Sequence, residues 1–214
     1  DRARSRRGGI GRVVEHAFTS HAEQWNFGLA QAKAEWVLAL DADFVLTDAA
    51  EQEIQRLEPA GDVSGYRASF AYCVNGTPLR SGVYPPVTVL FRRERASYQQ
   101  DGHTQRVAVD GRVVPLSGVI HHDDRKPLAH WVMSQVRYMR LEADKLDATP
   151  GAALSAADRV RKAILVAPPL MLLWCLCGRA GILDGWPGVY YALQRTAAEL
   201  ILSLTLLERR LMRR

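Results

Sequence analysis

Two aspartates separated by one small residue, Asp41-Ala42-Asp43, end an apolar run at positions 36–40. Carboxylates so spaced in a loop can both turn toward one cation. A hard divalent ion such as Mg²⁺ or Mn²⁺ takes oxygen ligands of this kind while bridging to substrate phosphates. The chemistry that uses such a site is departure of a diphosphate, whose growing charge the cation neutralises. The triplet alone is short enough to arise in a solvated loop or at a helix N-terminus, with Asp48 as a further cap, so its meaning rests on its surroundings. Further candidates lie past residue 100: His103 in Gln100-Asp101-Gly102-His103-Thr104-Gln105, and the run His121-His122-Asp123-Asp124-Arg125-Lys126. A lone histidine is most often a hydrogen-bonded structural residue, although its titration range also suits ligand and proton-carrier roles. Asp123 or Asp124 can equally cap a helix that starts near Pro127. Arg125 and Lys126 suit phosphate contact or plain surface charge.

These residues need elements to hold them. Residues 13–18 read as a short strand. From 23 to 35 the Ala-rich composition and the spacing of Trp25, Leu29, Ala32 and Trp36 predict a helix. The run 36–40 is apolar on both faces, as a central strand of a helix-covered sheet would be. It delivers Asp41 and Asp43 to a strand end, where open α/β sheets bind their ligands. A helix over 48–58 with Asp48 as N-cap follows, then strands at 65–74 and 87–92 separated by a Pro/Gly-rich loop at 75–86. Positions 104–120 alternate, with Asp110-Gly111 as a hairpin turn signal. A helix over 128–146 carries Trp131, Gln135, Tyr138 and Leu141 as a stripe, and a loop at 147–155 precedes an all-helical end. The fold class is therefore α/β, with a C-terminal helical appendage. The expected division is 1–127, 128–150 and 151–214.

The stretch Gln24-Trp25-Asn26-Phe27-Gly28-Leu29-Ala30, followed by Ala34-Glu35-Trp36-Val37-Leu38-Ala39-Leu40-Asp41-Ala42-Asp43, resembles family 2 glycosyltransferases of GT-A type. There an Asn-x-Gly-x-x-x-Ala helix leads into a strand ending in Asp-Ala-Asp. The resemblance spans about twenty residues with fixed spacing and looks closest to the branch that elongates lipopolysaccharide cores and related glycans. It implies a GT-A-like, Rossmann-related mixed sheet and a metal-dependent, inverting transfer of a sugar from a nucleotide-diphosphate donor to a glycan or lipid-linked acceptor. Asp41, Asp43 and His122 would hold Mg²⁺ or Mn²⁺, with His121 the next match after His122. Asp41, His122 and Arg125 would meet the donor diphosphate. Asn26 and Trp36 would support the site. Many members of that branch carry Glu after the second Asp, where this chain has Phe44, and a His-Glu pair where it has His103-Thr104. Asp101 becomes the substitute candidate for the base that takes the acceptor proton, with His103 beside it. Complete members begin with a strand, a helix and a second strand ending in an acidic loop. Nothing here matches that unit, so the chain resembles a member entered at about its third strand, its sheet exposing an edge and an apolar face. A non-catalytic, membrane-interface or assembly module derived from such an enzyme is the alternative.

Bulk composition bounds these readings. A chain of 214 residues with 48% hydrophobic content has enough apolar surface to bury a core. Three cysteines, with Cys175 and Cys177 inside an apolar run, form neither a disulfide framework nor a zinc site. The formal charge of +5 gathers at the ends, as Arg2, Arg4, Arg6, Arg7 and Arg12 and as Arg209, Arg210, Arg213 and Arg214. These arginines are not interleaved with aromatics, so nucleic acid is not an expected partner. The uncharged run 163–177 would make a helix about 22 Å long, short of the ~30 Å apolar core of a bilayer, and Pro168-Pro169 interrupts it. The run 189–207 contains Arg195 and Glu199. Together they read as an amphipathic pair lying in a membrane interface, with Trp174, Trp186, Tyr190 and Tyr191 at headgroup depth, or as helices packing on the rest of the chain. The closing arginines favour an anionic leaflet, giving a peripheral location on the cytoplasmic face of the inner (plasma) membrane.

Overall fold

A computed structural model describes residues 11–102 and 104–213. Residues 13–18 form no strand. Val13 is almost fully exposed, and His16 stacks on Phe27 at a centroid distance of 4.0 Å. Helix α1 (His21–Gln31) starts two residues earlier than expected because the Ser20 hydroxyl accepts a hydrogen bond from the Glu23 N–H. The backbone returns to extended geometry at Ala32.

Strands β1 (Trp36–Leu38), β2 (Phe44–Leu46), β3 (Val63–Val74), β4 (Thr77–Pro78), β5 (Val87–Arg92) and β8 (Arg112–His122) form one mixed sheet, in the order β1-β5-β3-β8-β2 with β4 paired to β3. Among the described residues only β3 and β8 run parallel, and the other pairs of this sheet are antiparallel. The apolar run at 36–40 is thus not central: β1 is an edge strand among the described residues, and Leu38 is partly exposed. An apolar groove of about 370 Å³, lined by Trp25, Leu29, Val37, Leu38, Phe91 and Tyr98 among others, runs beside this strand.

The alternating stretch after residue 103 does not fold back at Asp110-Gly111. Strand β6 (Ala96–Asp101) pairs with β7 (Thr104–Val109) in a separate two-stranded sheet whose closed end lies at Asp101 and Thr104, where Gly102 has φ 59°. Gly111, with φ 114°, instead passes the chain from the small sheet into β8 of the large one. A positive-φ glycine permits either outcome. The choice went to the long parallel pairing of β8 with β3. A turn signal missed within the loop 75–86 is Asn75-Gly76, with φ values of 49° and 81°, which joins β3 to β4 as a tight hairpin.

Helix α2 (Asp48–Gln55) is capped by Thr47, whose hydroxyl accepts from the Ala50 N–H, and not by Asp48. It lies so close to β8 that a Cβ on Gly118 would fall 2.5 Å from the Ala50 Cα. Glu53 accepts the Ser117 and Gly118 N–H groups at 3.0 and 2.6 Å, in the stretch where the β3/β8 register slips. Ala50, Tyr66, Ala68, Val89, Leu90, Leu116 and Ile120 form the core between helix and sheet.

Helix α3 (Leu128–Ala148) begins after Pro127 with no side-chain cap, so neither Asp123 nor Asp124 caps it. Its buried positions include Trp131, Ser134, Met139, Glu142, Ala143 and Leu146, while Leu141 is exposed, which corrects the outer end of the expected stripe. Helix α4 (Ala156–Lys162) leads to α5 (Ala167–Leu173), in which Pro168-Pro169 opens the helix instead of breaking it, as its first-turn N–H groups need no partner. A π-helical turn and a 3₁₀ turn then connect to α6 (Gly185–Met212). Met139, Ala143 and Leu146 of α3 meet Leu202 and Leu206 of α6, and Cys175, Tyr191 and Ala192 pack on Leu79. The first cluster thus holds the helices to one another, and the second joins them to the sheet beside Tyr72 and Val74 of β3. No described helix is long and apolar enough to cross a membrane.

Candidate functional site

Asp41 and Asp43 lie in the turn between β1 and β2, closed by a hydrogen bond from the Phe44 N–H to the Asp41 carbonyl at 3.0 Å. The short β2, for which the sequence carries no strand signal of its own, supplies the positioning. Its pairing sets Phe44 opposite His122 and Val45 opposite His121, and the Asp123 N–H donates to the Asp43 carbonyl at 2.9 Å. Successive strand residues face opposite sides of a sheet, so only one of the two histidines can serve this turn. That residue is His122, whose Nε2 lies 3.3 Å from Asp43 Oδ2. Its Nδ1 is buried and without a partner. The Phe44, Tyr72 and Tyr84 rings stand edge-on to the imidazole at 4.7–5.2 Å.

The carboxylates are electrostatically unlike. Burial, and then the charge of Asp43, raise the Asp41 pKa above its ordinary 3.8 despite the pull of His122, His21 and Lys126. The hydrogen bond from His122 holds Asp43 below the ordinary value, outweighing its burial. Burial, followed by the charges of Asp41 and Asp43, pushes the Tyr84 phenol up to about 12, so it stays neutral beside them. A divalent cation beside these carboxylates would offset both the burial and the repulsion that raise Asp41. Mg²⁺ is commonly held by one or two carboxylates plus substrate phosphates and water, so a third protein ligand is not required. Among the described residues no three His, Cys, Asp or Glu side chains form a metal-ligating cluster. With its Nε2 engaged by Asp43, His122 sits here as the support that orients that carboxylate.

The cation nearest the pair is not Arg125. Arg125 bonds Asp123 at 2.6 Å, and Asp123 in turn accepts the Gly76 N–H at 3.0 Å, so this group ties the β3–β4 hairpin to the loop after β8. Lys126 instead reaches both sides: its Nζ lies 3.1 Å from Asp124 Oδ2 and 3.9 Å from Asp43 Oδ2. Asp101, at the closed end of β6/β7, is held by Lys145 at 2.6 Å and Arg106 at 2.8 Å, and the Lys145 hydrogen bond is the main reason its pKa is lowered. A carboxylate held by two cations is a weak proton acceptor, which favours a structural role over a general base. His103 lies outside the described residues. Asn26 donates to the Tyr98 carbonyl at 2.9 Å and accepts its N–H at 2.8 Å, pinning α1 to β6. Trp36 packs on Tyr66 and lies under the Arg92 guanidinium.

A cavity of about 300 Å³ adjoins this turn across Lys126, between the end of β3, the loop after β8 and the start of α6. Its aromatic lining was not legible as such, because Trp131 and Tyr190 read in sequence as helix-stripe and membrane-interface residues. Comparison of the chain with protein-family models and with curated protein sequences gives no match.

Proposed function

We propose that this chain carries the metal-binding side of a GT-A-type, family 2-like glycosyltransferase, moving a sugar from a nucleoside-diphosphate donor to a glycan or lipid-linked acceptor with inversion. The observation that carries the reading is the acidic turn: two part-buried carboxylates at a strand end, one oriented by His122 and approached by Lys126. When bound, a divalent cation supplies neutralisation of the charge developing on the leaving diphosphate. Asp41 and Asp43 hold the site for it, and His122 fixes the direction of Asp43. Lys126 lies close enough to add a positive charge on the phosphate side. Phe44, Tyr72 and Tyr84 wall the turn with rings that reduce its hydration and strengthen these interactions.

Calorimetric titration of Mn²⁺ with UDP, and then with other nucleoside diphosphates, tests this. Metal-dependent binding that disappears in the Asp41→Ala, Asp43→Ala variant is expected. No nucleotide binding by the well-folded chain would overturn the reading for this polypeptide.

A second reading is favoured by a different observation. Exposed apolar side chains crowd residues 165–193, among them Leu170, Leu173, Trp174, Ile182, Leu183 and Trp186. They fit a peripheral contact with a membrane on its cytoplasmic face, with or without catalysis. Tyr191 takes no part in it, being buried with its hydroxyl accepting from the Val83 N–H at 3.1 Å.

A further inference from the structure

The cavity beside the acidic turn has the chemistry of a sugar site. Trp131, Trp186 and Tyr190 supply aromatic faces, and Asn75, Asp124 and Gln194 supply planar polar groups. A pyranose ring presents C–H groups on its faces and hydroxyls around its edge, so it needs both kinds of surface in one pocket of this size. Two details point to a ligand. Trp186, in the first turn of α6, borders the pocket with 84% of its surface exposed, leaving an indole face open to a ligand. Gln194 donates to the Tyr190 hydroxyl at 3.2 Å, which steadies an aromatic group otherwise free on the surface. The polar floor is shared with the acidic turn, since the Lys126 ammonium bridges Asp124 of the pocket and Asp43 of the turn.

We propose that this pocket binds the acceptor: a pyranose of a glycan, stacked on Trp186 and hydrogen-bonded by Asp124. The assignment rests on the transferase reading for its role, but not for its ligand. A sugar held there lies one side chain away from the carboxylate pair, with Lys126 between acceptor and donor phosphates. Trp186 also belongs to the exposed apolar stretch, so a lipid-linked acceptor can seat its sugar in the pocket while its chain remains in the membrane.

Saturation-transfer NMR with the methyl glycosides of glucose, galactose, mannose and N-acetylglucosamine, without metal or nucleotide, tests the ligand assignment. Transfer to the ring protons of at least one glycoside is expected, with affinity falling at least about tenfold in Trp186→Ala. Gln194→Ala is a second, milder variant, and thermal melts of both variants check folding. Absence of transfer from every glycoside, or transfer that Trp186→Ala leaves intact, overturns the sugar pocket. Sugar binding by a chain that shows no Mn²⁺–UDP binding overturns the acceptor role while leaving the pocket standing. Displacement of the sugar by vesicles without glycolipid would assign the pocket to lipid and also overturn the proposal.

Discussion

The chemistry of this chain concentrates in side chains whose roles were divided by their immediate neighbours. Asp41 and Asp43 are two residues apart, yet one is raised in pKa by burial and the other lowered by His122. Asp101 is the opposite case, a carboxylate committed to Lys145 and Arg106. Its folded pKa lies below the ordinary 3.8. Its stabilising contribution is therefore fully present above that value and is lost as pH falls from there through the folded pKa. Asp101→Asn should lower the melting temperature at neutral pH and flatten the acid limb of the stability profile below about pH 4. An acid limb identical to that of the unchanged protein would show that the pairing does not contribute. The two histidines at 121 and 122 were equal in sequence apart from the family match. Strand alternation separated them, because pairing with β2 turned His122 toward Asp43.

At the scale of elements, capping and pairing decided what composition left open. Thr47 and Ser20 start helices as their hydroxyls allow, while Asn75-Gly76, read in sequence only as part of a loop, closes a tight hairpin. Asp110-Gly111, read as a hairpin turn, instead joins two sheets, because a local signal cannot say whether the next strand joins its predecessor or another sheet. The helical end holds together through a buried pair: Arg161 of α4 meets Glu199 of α6 with contacts of 3.2, 3.2 and 2.8 Å, and Glu199 is nearly inaccessible. Removing Glu199 leaves the part-buried Arg161 with the longer contact to Asp158 at 3.7 Å. Glu199→Ala should cost about 3–5 kcal/mol in urea unfolding. Replacing both, as Arg161→Met with Glu199→Leu, should restore most of that loss, whereas a double variant as unstable as the single one would locate the cost in packing.

Over the whole molecule, the apolar surfaces that stay open among the described residues include the groove along the free edge of β1 and the exposed stretch at 165–193. Two of the closing arginines, Arg209 and Arg213, are already engaged within the chain. Arg209 pairs with Asp144 and Asp147 at 2.8 and 3.1 Å, and Arg213 pairs with Asp147 at 3.0 Å, so both fasten α6 to α3. Membrane contact, if made, should therefore depend mainly on apolar insertion. Co-flotation with phosphatidylglycerol-containing vesicles is expected, reduced more than about tenfold by Leu173→Ser, Ile182→Ser and Leu183→Ser together, since each inserted aliphatic side chain contributes roughly 1.5–3 kcal/mol. A chain that stays with the soluble fraction at low and high salt alike would sink the contact.

The sequence alone determined that Asp41 and Asp43 would stand at a strand end, that helices and strands would alternate before a helical close, and that the β1 strand would be strongly apolar. Those features follow from local periodicity and short-range spacing. Only the tertiary structure decided that β1 lies at an edge, that His122 and not His121 faces the carboxylates, and that Lys126 reaches Asp43 while Arg125 turns to Asp123. It alone brought Trp131, Trp186 and Tyr190, far apart in the chain, around one cavity. Strand order, facing side chains and pockets arise from contacts between distant segments, and no local pattern encodes which distant partner each segment will meet.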